Sequence, residues 1–268
     1  MLEAETTMSV ELDFTAAALR GLAVGSFVGG VVYVMERAPP FIGGIVLVLP
    51  IVVGPSFFFL SLQQDAAFMQ AACITALGMI GAALCFLTAY IRLIGHVSAP
   101  LASLGGMVAW SIAALIILAL PVTLPWMLGF TLVAALLAWA ANRRIVQLGS
   151  AGASQPSPAY DIALRGLFAG LLVAAVTLLA SQLGPLGSSL LANLPVALSV
   201  VCLFLLRRFD RPGARAAMAS SQIGLSSLVA FFLTLLLLQD MAVAPRFILA
   251  CLATAAWAVL LGRLRRLL

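Results

Sequence analysis

Long apolar runs, broken by short polar or proline- and glycine-bearing turns, set the pattern of this chain. Runs able to cross a bilayer, about 17 to 25 residues each, lie near 15–35, 41–62, 66–91, 99–120, 124–141, 161–182, 186–206, 214–238 and 243–262. They predict an all-α integral membrane protein with nine transmembrane helices. Pro121 and Pro125 mark the turn between the fourth and fifth, with a kinked or re-entrant passage through 99–141 as the alternative. Composition agrees: 64% of residues are hydrophobic, 9% are charged and the mean hydropathy is +1.19, well beyond the apolar content of a soluble domain.

Within this pattern the chain repeats itself. Ala18-Leu19-Arg20-Gly21-Leu22 returns as Ala163-Leu164-Arg165-Gly166-Leu167, an offset of 145 that then runs on without a gap. It carries Gly25 onto Gly170, Pro40 onto Pro185, Pro50 onto Pro195, Asp65 onto Asp210, Phe86 onto Phe231, and Ala99-Pro100 onto Ala244-Pro245. A bias toward Leu and Ala cannot align Arg, Asp and three Pro, so the chain reads as an internal duplication.

Charge gives the duplication a direction. All 14 basic residues are Arg. With the C-terminus in the cytoplasm, Arg37, Arg92, Arg143, Arg144, Arg165, Arg207, Arg208, Arg211, Arg215, Arg263, Arg265 and Arg266 fall on or near the inner side. Only Arg20 and Arg246 fall outside, an asymmetry that follows the positive-inside rule and sends the N-terminus, with Glu3, Glu5, Glu11 and Asp13, outward. The first copy then takes helices one to four, the second takes six to nine, and the fifth stands between them. An odd number of crossings separates equivalent points, so the expected architecture is two inverted four-helix repeats, 4+1+4, of the kind used for alternating access. The segments are an outer tail 1–14, a first repeat 15–120, a connecting transmembrane helix 121–142, a cytoplasmic linker 143–160 and a second, inverted repeat 161–268.

Topology accounts for the net charge of +5, and no basic stripe with interleaved aromatics points to nucleic acid. No cleavable signal peptide is visible, since the acidic first residues run into a full-length span. Cys73, Cys85, Cys202 and Cys251 lie within spans at no metal-ligand spacing and read as packing residues, so neither a metal nor a cofactor is expected.

Candidate binding residues come from the polar interruptions. Pro50 and Pro195 centre the second helix of each copy, where each removes a backbone hydrogen bond and crowds the carbonyl four residues earlier. Paired interruptions in inverted halves point to a midplane substrate site, with Asn193 as its polar handle; a structural kink is the plainer reading. Arg20 and Arg165, two matched guanidiniums inside the first helix of each copy, suit a phosphate or carboxylate, or else snorkel to the headgroups. Gln222 heads a polar strip with Ser220, Ser221, Ser226 and Ser227, which lines a pathway or joins helices. Glu36, beside Arg37, is a candidate proton-coupling carboxylate or an interfacial ion pair. Asp65 and Asp210 sit where helices begin and read as N-caps. Gly21, Gly25 and Gly29, answered by Gly166, Gly170 and Ala174, have the spacing of close helix packing between the halves. No enzymatic activity is expected: the single histidine, His96, falls in an inner loop, away from Asp65 on the outer side, and there is no phosphate-cradling glycine loop followed by Lys.

The pattern small-small followed by Leu-Pro, in Gly43, Gly44, Leu49 and Pro50, with Ala102-Ser103-Leu104 and Trp110 downstream and Leu194-Pro195 in the second copy, resembles the small four-helix bacterial inner-membrane family called GlpM-like. The architecture is also similar to the drug/metabolite transporter superfamily, in which four-helix units pair in opposite orientation. The acidic residue found within the first helix of small multidrug exporters is absent here, which argues against drug/proton exchange by that route. The resemblance implies the bacterial inner membrane. The expectation is a secondary transporter or flippase for an amphipathic or anionic small molecule or lipid-linked group. The alternative is a non-transporting assembly subunit. Expected partners are membrane lipids, the substrate, and a second copy or a larger membrane complex.

Overall fold

The computed structural model describes residues 2–37, 50, 53–148, 159–195, 198–199, 202–203, 205–206 and 210–267. The helices are α1 (Leu2–Arg37), α2 (Val53–Ser61), α3 (Ala66–Leu93), α4 (Ala99–Ala119), α5 (Leu124–Leu148), α6 (Ala159–Ala192), α7 (Arg211–Leu225), α8 (Ser227–Leu237) and α9 (Val243–Leu267), with no strand among the described residues. Five apolar lengths can cross a membrane: Ala66–Leu93, Ala99–Ala119, Leu124–Ile145, Arg211–Leu237 and Val243–Leu261. The protein is therefore an all-α, multi-pass membrane protein. Shorter apolar lengths occupy Phe14–Gly30, Ile162–Ala175 and Leu183–Ala192.

Helix α3 is the hub. It is apolar on every side, as a helix surrounded by others must be, and it contacts α4, α5, α6, α7 and α8. Phe57, Leu77, Ile80, Phe86, Tyr90, Phe231 and Phe232 fill the main core around it. The edge-to-face contact of Phe57 with Phe232, ring centres 4.9 Å apart, joins α2 to α8, and Phe231 packs edge-to-face on Phe232 within α8 at 5.3 Å. The outer helices bury one stripe each. On α4 it is Ala102, Gly106, Trp110, Ala113 and Ile117, while Leu101, Leu104, Val108, Ile112 and Leu115 stay exposed, as suits a face turned to lipid.

Local chemistry fixes the helix ends. Asp65 accepts from the Phe68 backbone N–H at 2.8 Å, and Asp210 accepts from that of Gly213 at 3.0 Å, so both act as N-caps. The two caps are 145 residues apart, as are the first residues of α3 and α7. Pro121 leaves a short non-helical turn, and α5 starts at Leu124 with Pro125 in its first turn, where the missing N–H is harmless. α1 starts well before its apolar stretch. Its acidic opening residues favour a helix N-terminus, so the tail expected before residue 15 is helical through Leu2.

α6 changes course at Gly184, whose φ of 65° is open to glycine and strained for other residues. Pro185 restarts the helix, which ends at Ala192, just before Asn193, Leu194 and Pro195. α6 therefore falls into two helical lengths joined by one glycine, in a region where the apolar runs predict separate spans over 161–182 and 186–206.

α1 and α6 share a glycine seam. A Cβ on Gly21 would lie 2.7 Å from the Gly170 carbonyl oxygen, and one on Gly25 would lie 2.8 Å from that of Gly166. Gly29 lies opposite Ile162, so numbers rise on one helix as they fall on the other and the pair runs antiparallel. Val24, Val28, Ile162, Ala169 and Val173 close a small core beside the seam, with Phe59 packed against it.

Candidate functional site

The breaks at the two prolines are packed and internally bonded. Pro50 is buried, and its carbonyl accepts from the Gly54 N–H at 2.7 Å as α2 begins. A side chain at Gly54 would press on the Pro50 ring and face Phe231. At the equivalent place, the Pro195 carbonyl accepts from the Ser199 N–H and from its hydroxyl, both at 2.9 Å. Proline 195 frees the Leu191 carbonyl, and the Leu194 N–H takes it at 3.2 Å by tightening the last turn. Asn193 folds back: its side-chain amide donates to the Ser189 carbonyl at 2.9 Å. Ser189, fully buried, donates to the Ala72 carbonyl at 2.6 Å and so ties the broken segment to α3. Its carbonyl partner lies in mid-helix, where a second donor is readily accepted.

Arg20 reaches the turn after α2. Its guanidinium lies 5.9 Å from the centre of the Phe59 ring, and the Gln63 side-chain oxygen accepts from Nη2 at 3.1 Å and from Nη1. The antiparallel register leaves Arg20 and Arg165 about six residues apart along the shared axis, roughly 9 Å. The side chains of Arg165 and Glu36, and residues 38–49 with the first half of the Pro50 helix, lie outside the described residues.

Gln222 occupies the most developed polar site. Buried between three helices, it donates from Nε2 to the Thr88 hydroxyl at 2.9 Å on α3 and accepts at Oε1 from Asn142 Nδ2 at 3.1 Å on α5. Thr88 passes its own proton to the Leu84 carbonyl at 2.7 Å. Asn142 is 1% exposed, and its Oδ1 has no partner. An amide oxygen so buried without a donor is costly. Close by, Arg92 donates to the Ala141 carbonyl, and Arg215, two turns before Gln222, donates from Nε to the Ile91 carbonyl at 3.1 Å. Both guanidiniums sit at the C-terminal end of α3, where the helix dipole favours cations. The result is a buried chain of neutral polar groups under a cationic rim. Its unpartnered Asn142 oxygen can accept from a donor, and among the described residues it holds no nucleophile–base pair.

The sequence singles out Gln222 as a candidate and passes over its hydrogen-bond partner, Asn142. Its place before Arg143 and Arg144 reads as a helix leaving the membrane. The available signal is spacing: Met127, Thr131, Ala134, Ala138 and Asn142 form one buried stripe on α5, and Thr131 anchors it by donating to the Leu77 carbonyl at 2.6 Å. Elsewhere, an apolar groove of about 670 Å³ runs along the α1–α6 seam, and a small cleft lies beside Arg246. Comparison with protein-family models, curated proteins and solved structures finds no match.

Proposed function

We propose that this chain is a secondary transporter or flippase of the bacterial inner membrane, built as two inverted four-helix repeats joined by α5, that moves an amphipathic or anionic small molecule. The reciprocal glycine seam carries this reading. Under the offset of 145, Gly21 corresponds to Gly166 and Gly25 to Gly170. The contacts are crossed: Gly21 meets Gly170 and Gly25 meets Gly166. Crossed, self-complementary pairs are the signature of a twofold axis. For two antiparallel helices that axis stands perpendicular to both, so it lies in the membrane plane when they span it. The matched caps at Asp65 and Asp210 and the matched bonds to the Pro50 and Pro195 carbonyls support the same symmetry. Nine crossings follow if α1, the Pro50 helix, the first length of α6 and the Pro195 helix, which begins with the second length of α6, complete the count.

In this reading the two proline breaks are the moving parts, and Asn193, Gln222, Asn142 and the paired Arg20 and Arg165 offer polar contacts along the route. Glu36 is the candidate coupling carboxylate. A second reading, a non-transporting scaffold, is favoured by the self-satisfied break at Asn193 and Pro195. Thiol accessibility separates them. With the native cysteines replaced, single cysteines at Gly54 and Ser199 in sealed vesicles should react with impermeant reagents from both compartments, in proportions that shift together. Labelling from one side only, or from neither, contradicts alternating access and leaves the scaffold.

A further inference from the structure

Arg246 breaks the charge pattern of the chain. It falls on the side that positive-inside statistics leave nearly free of arginine, and yet it is buried, 8% exposed, in the first turn of α9. One guanidinium N–H reaches the Gln239 carbonyl at 3.2 Å, and the group lies 5.8 Å from the centre of the Phe247 ring. Nε is buried with no partner. Two acids lie near in sequence or across the cleft, Asp240 and Asp65. Both are exposed, Asp65 accepts from the Phe68 N–H, and neither forms an ion pair with Arg246 among the described residues.

The guanidinium lines a cleft with Ala66, Met69, Gln70 and Cys73 from the first two turns of α3, and Leu235, Leu236 and Gln239 from the end of α8. Helix α3 runs for 28 residues, and its N-terminal end, capped by Asp65, borders the cleft. The cleft therefore gathers a buried cation, the capped start of α3 and the Gln70 side chain, and among the described residues no carboxylate pairs with the guanidinium. A buried charge in this state needs a counter-charge. A guanidinium with an unpartnered N–H is a recognised partner for phosphate oxygens.

We infer that this cleft is an anion site which takes a phosphate oxygen, from a lipid headgroup or from free phosphate, with Arg246 as its charged anchor. The site belongs to one half of the chain only, since the offset places Leu101 opposite Arg246. It stands whether or not the protein transports. The cleft is narrow, so the ligand enters by its oxygens and leaves the rest of its bulk at the mouth.

Thermal unfolding of the purified full chain tests this in two arms. In detergent, inorganic phosphate is titrated against sodium chloride at equal ionic strength; in nanodiscs, phosphatidylglycerol is titrated into phosphatidylcholine. Stabilisation by phosphate alone assigns a free anion, stabilisation by phosphatidylglycerol alone assigns a headgroup, and both together assign shared phosphate recognition. Arg246→Gln should weaken the apparent affinity about ten- to hundredfold, the loss of a charge-assisted hydrogen bond, and Arg246→Lys should retain part of it. Should Arg246→Gln fail to fold, Gln70→Leu, which keeps the cation, is expected to weaken binding by less. No stabilisation of the wild type by either probe, or equal stabilisation of wild type and Arg246→Gln, overturns the assignment.

Discussion

Gln222 shows how a single buried amide organises three helices. Replacing it with Leu strands both ends of Asn142, whose Oδ1 already lacks a donor. Gln222→Leu should therefore cost about 1–2 kcal/mol of stability, within the range for hydrogen bonds inside membranes. The double variant Asn142→Leu/Gln222→Leu removes the stranded group and should be more stable than Gln222→Leu alone. Denaturant unfolding of the wild type and the two variants checks the order, and a double variant weaker than the single would show that Asn142 has another partner. At this scale the sequence revealed residue types well and partners poorly. Asp65 and Asp210 were legible as caps because a cap is local. Asn193 was legible as polar but not as self-bonded, and Asn142 was hidden by its neighbours Arg143 and Arg144, because its partner lies 80 residues away.

Among elements, the seam between α1 and α6 is the sharpest packing statement. A methyl group on Gly170 would collide with the Gly21 carbonyl, a backbone atom that cannot rotate away, so the helices would have to separate. Gly170→Ala is expected to destabilise by about 1–3 kcal/mol, as overpacking does. Gly30→Ala is the internal control. It borders the same groove with nothing within 4 Å of its Cβ position, so it should be neutral or gain up to about 1 kcal/mol from helix propensity. Equal losses at both positions would mean that helix flexibility, not close approach, is what these glycines provide. The apolar runs located the five lengths able to cross a membrane because length and hydropathy are local properties. They did not reveal that Gly184 is the joint between two lengths of α6, that a break falls at Ser226 between α7 and α8, or that α1 begins at Leu2, since each depends on backbone geometry or on weakly apolar residues.

For the whole molecule, the central claim is inversion. It joins the offset of 145, the crossed glycine pairs and the distribution of arginine into one arrangement. Helix number and sidedness carry that claim further than any contact does, because equivalent points in inverted halves must face opposite compartments. Residues 5 and 150 are equivalent by the offset and flank the first repeat and α5. Sidedness of reporter fusions at residues 5, 150, 210 and 268 is the most direct measurement. The account predicts residue 5 outside and residues 150, 210 and 268 together inside. Residues 5 and 150 on the same side of the membrane would contradict it.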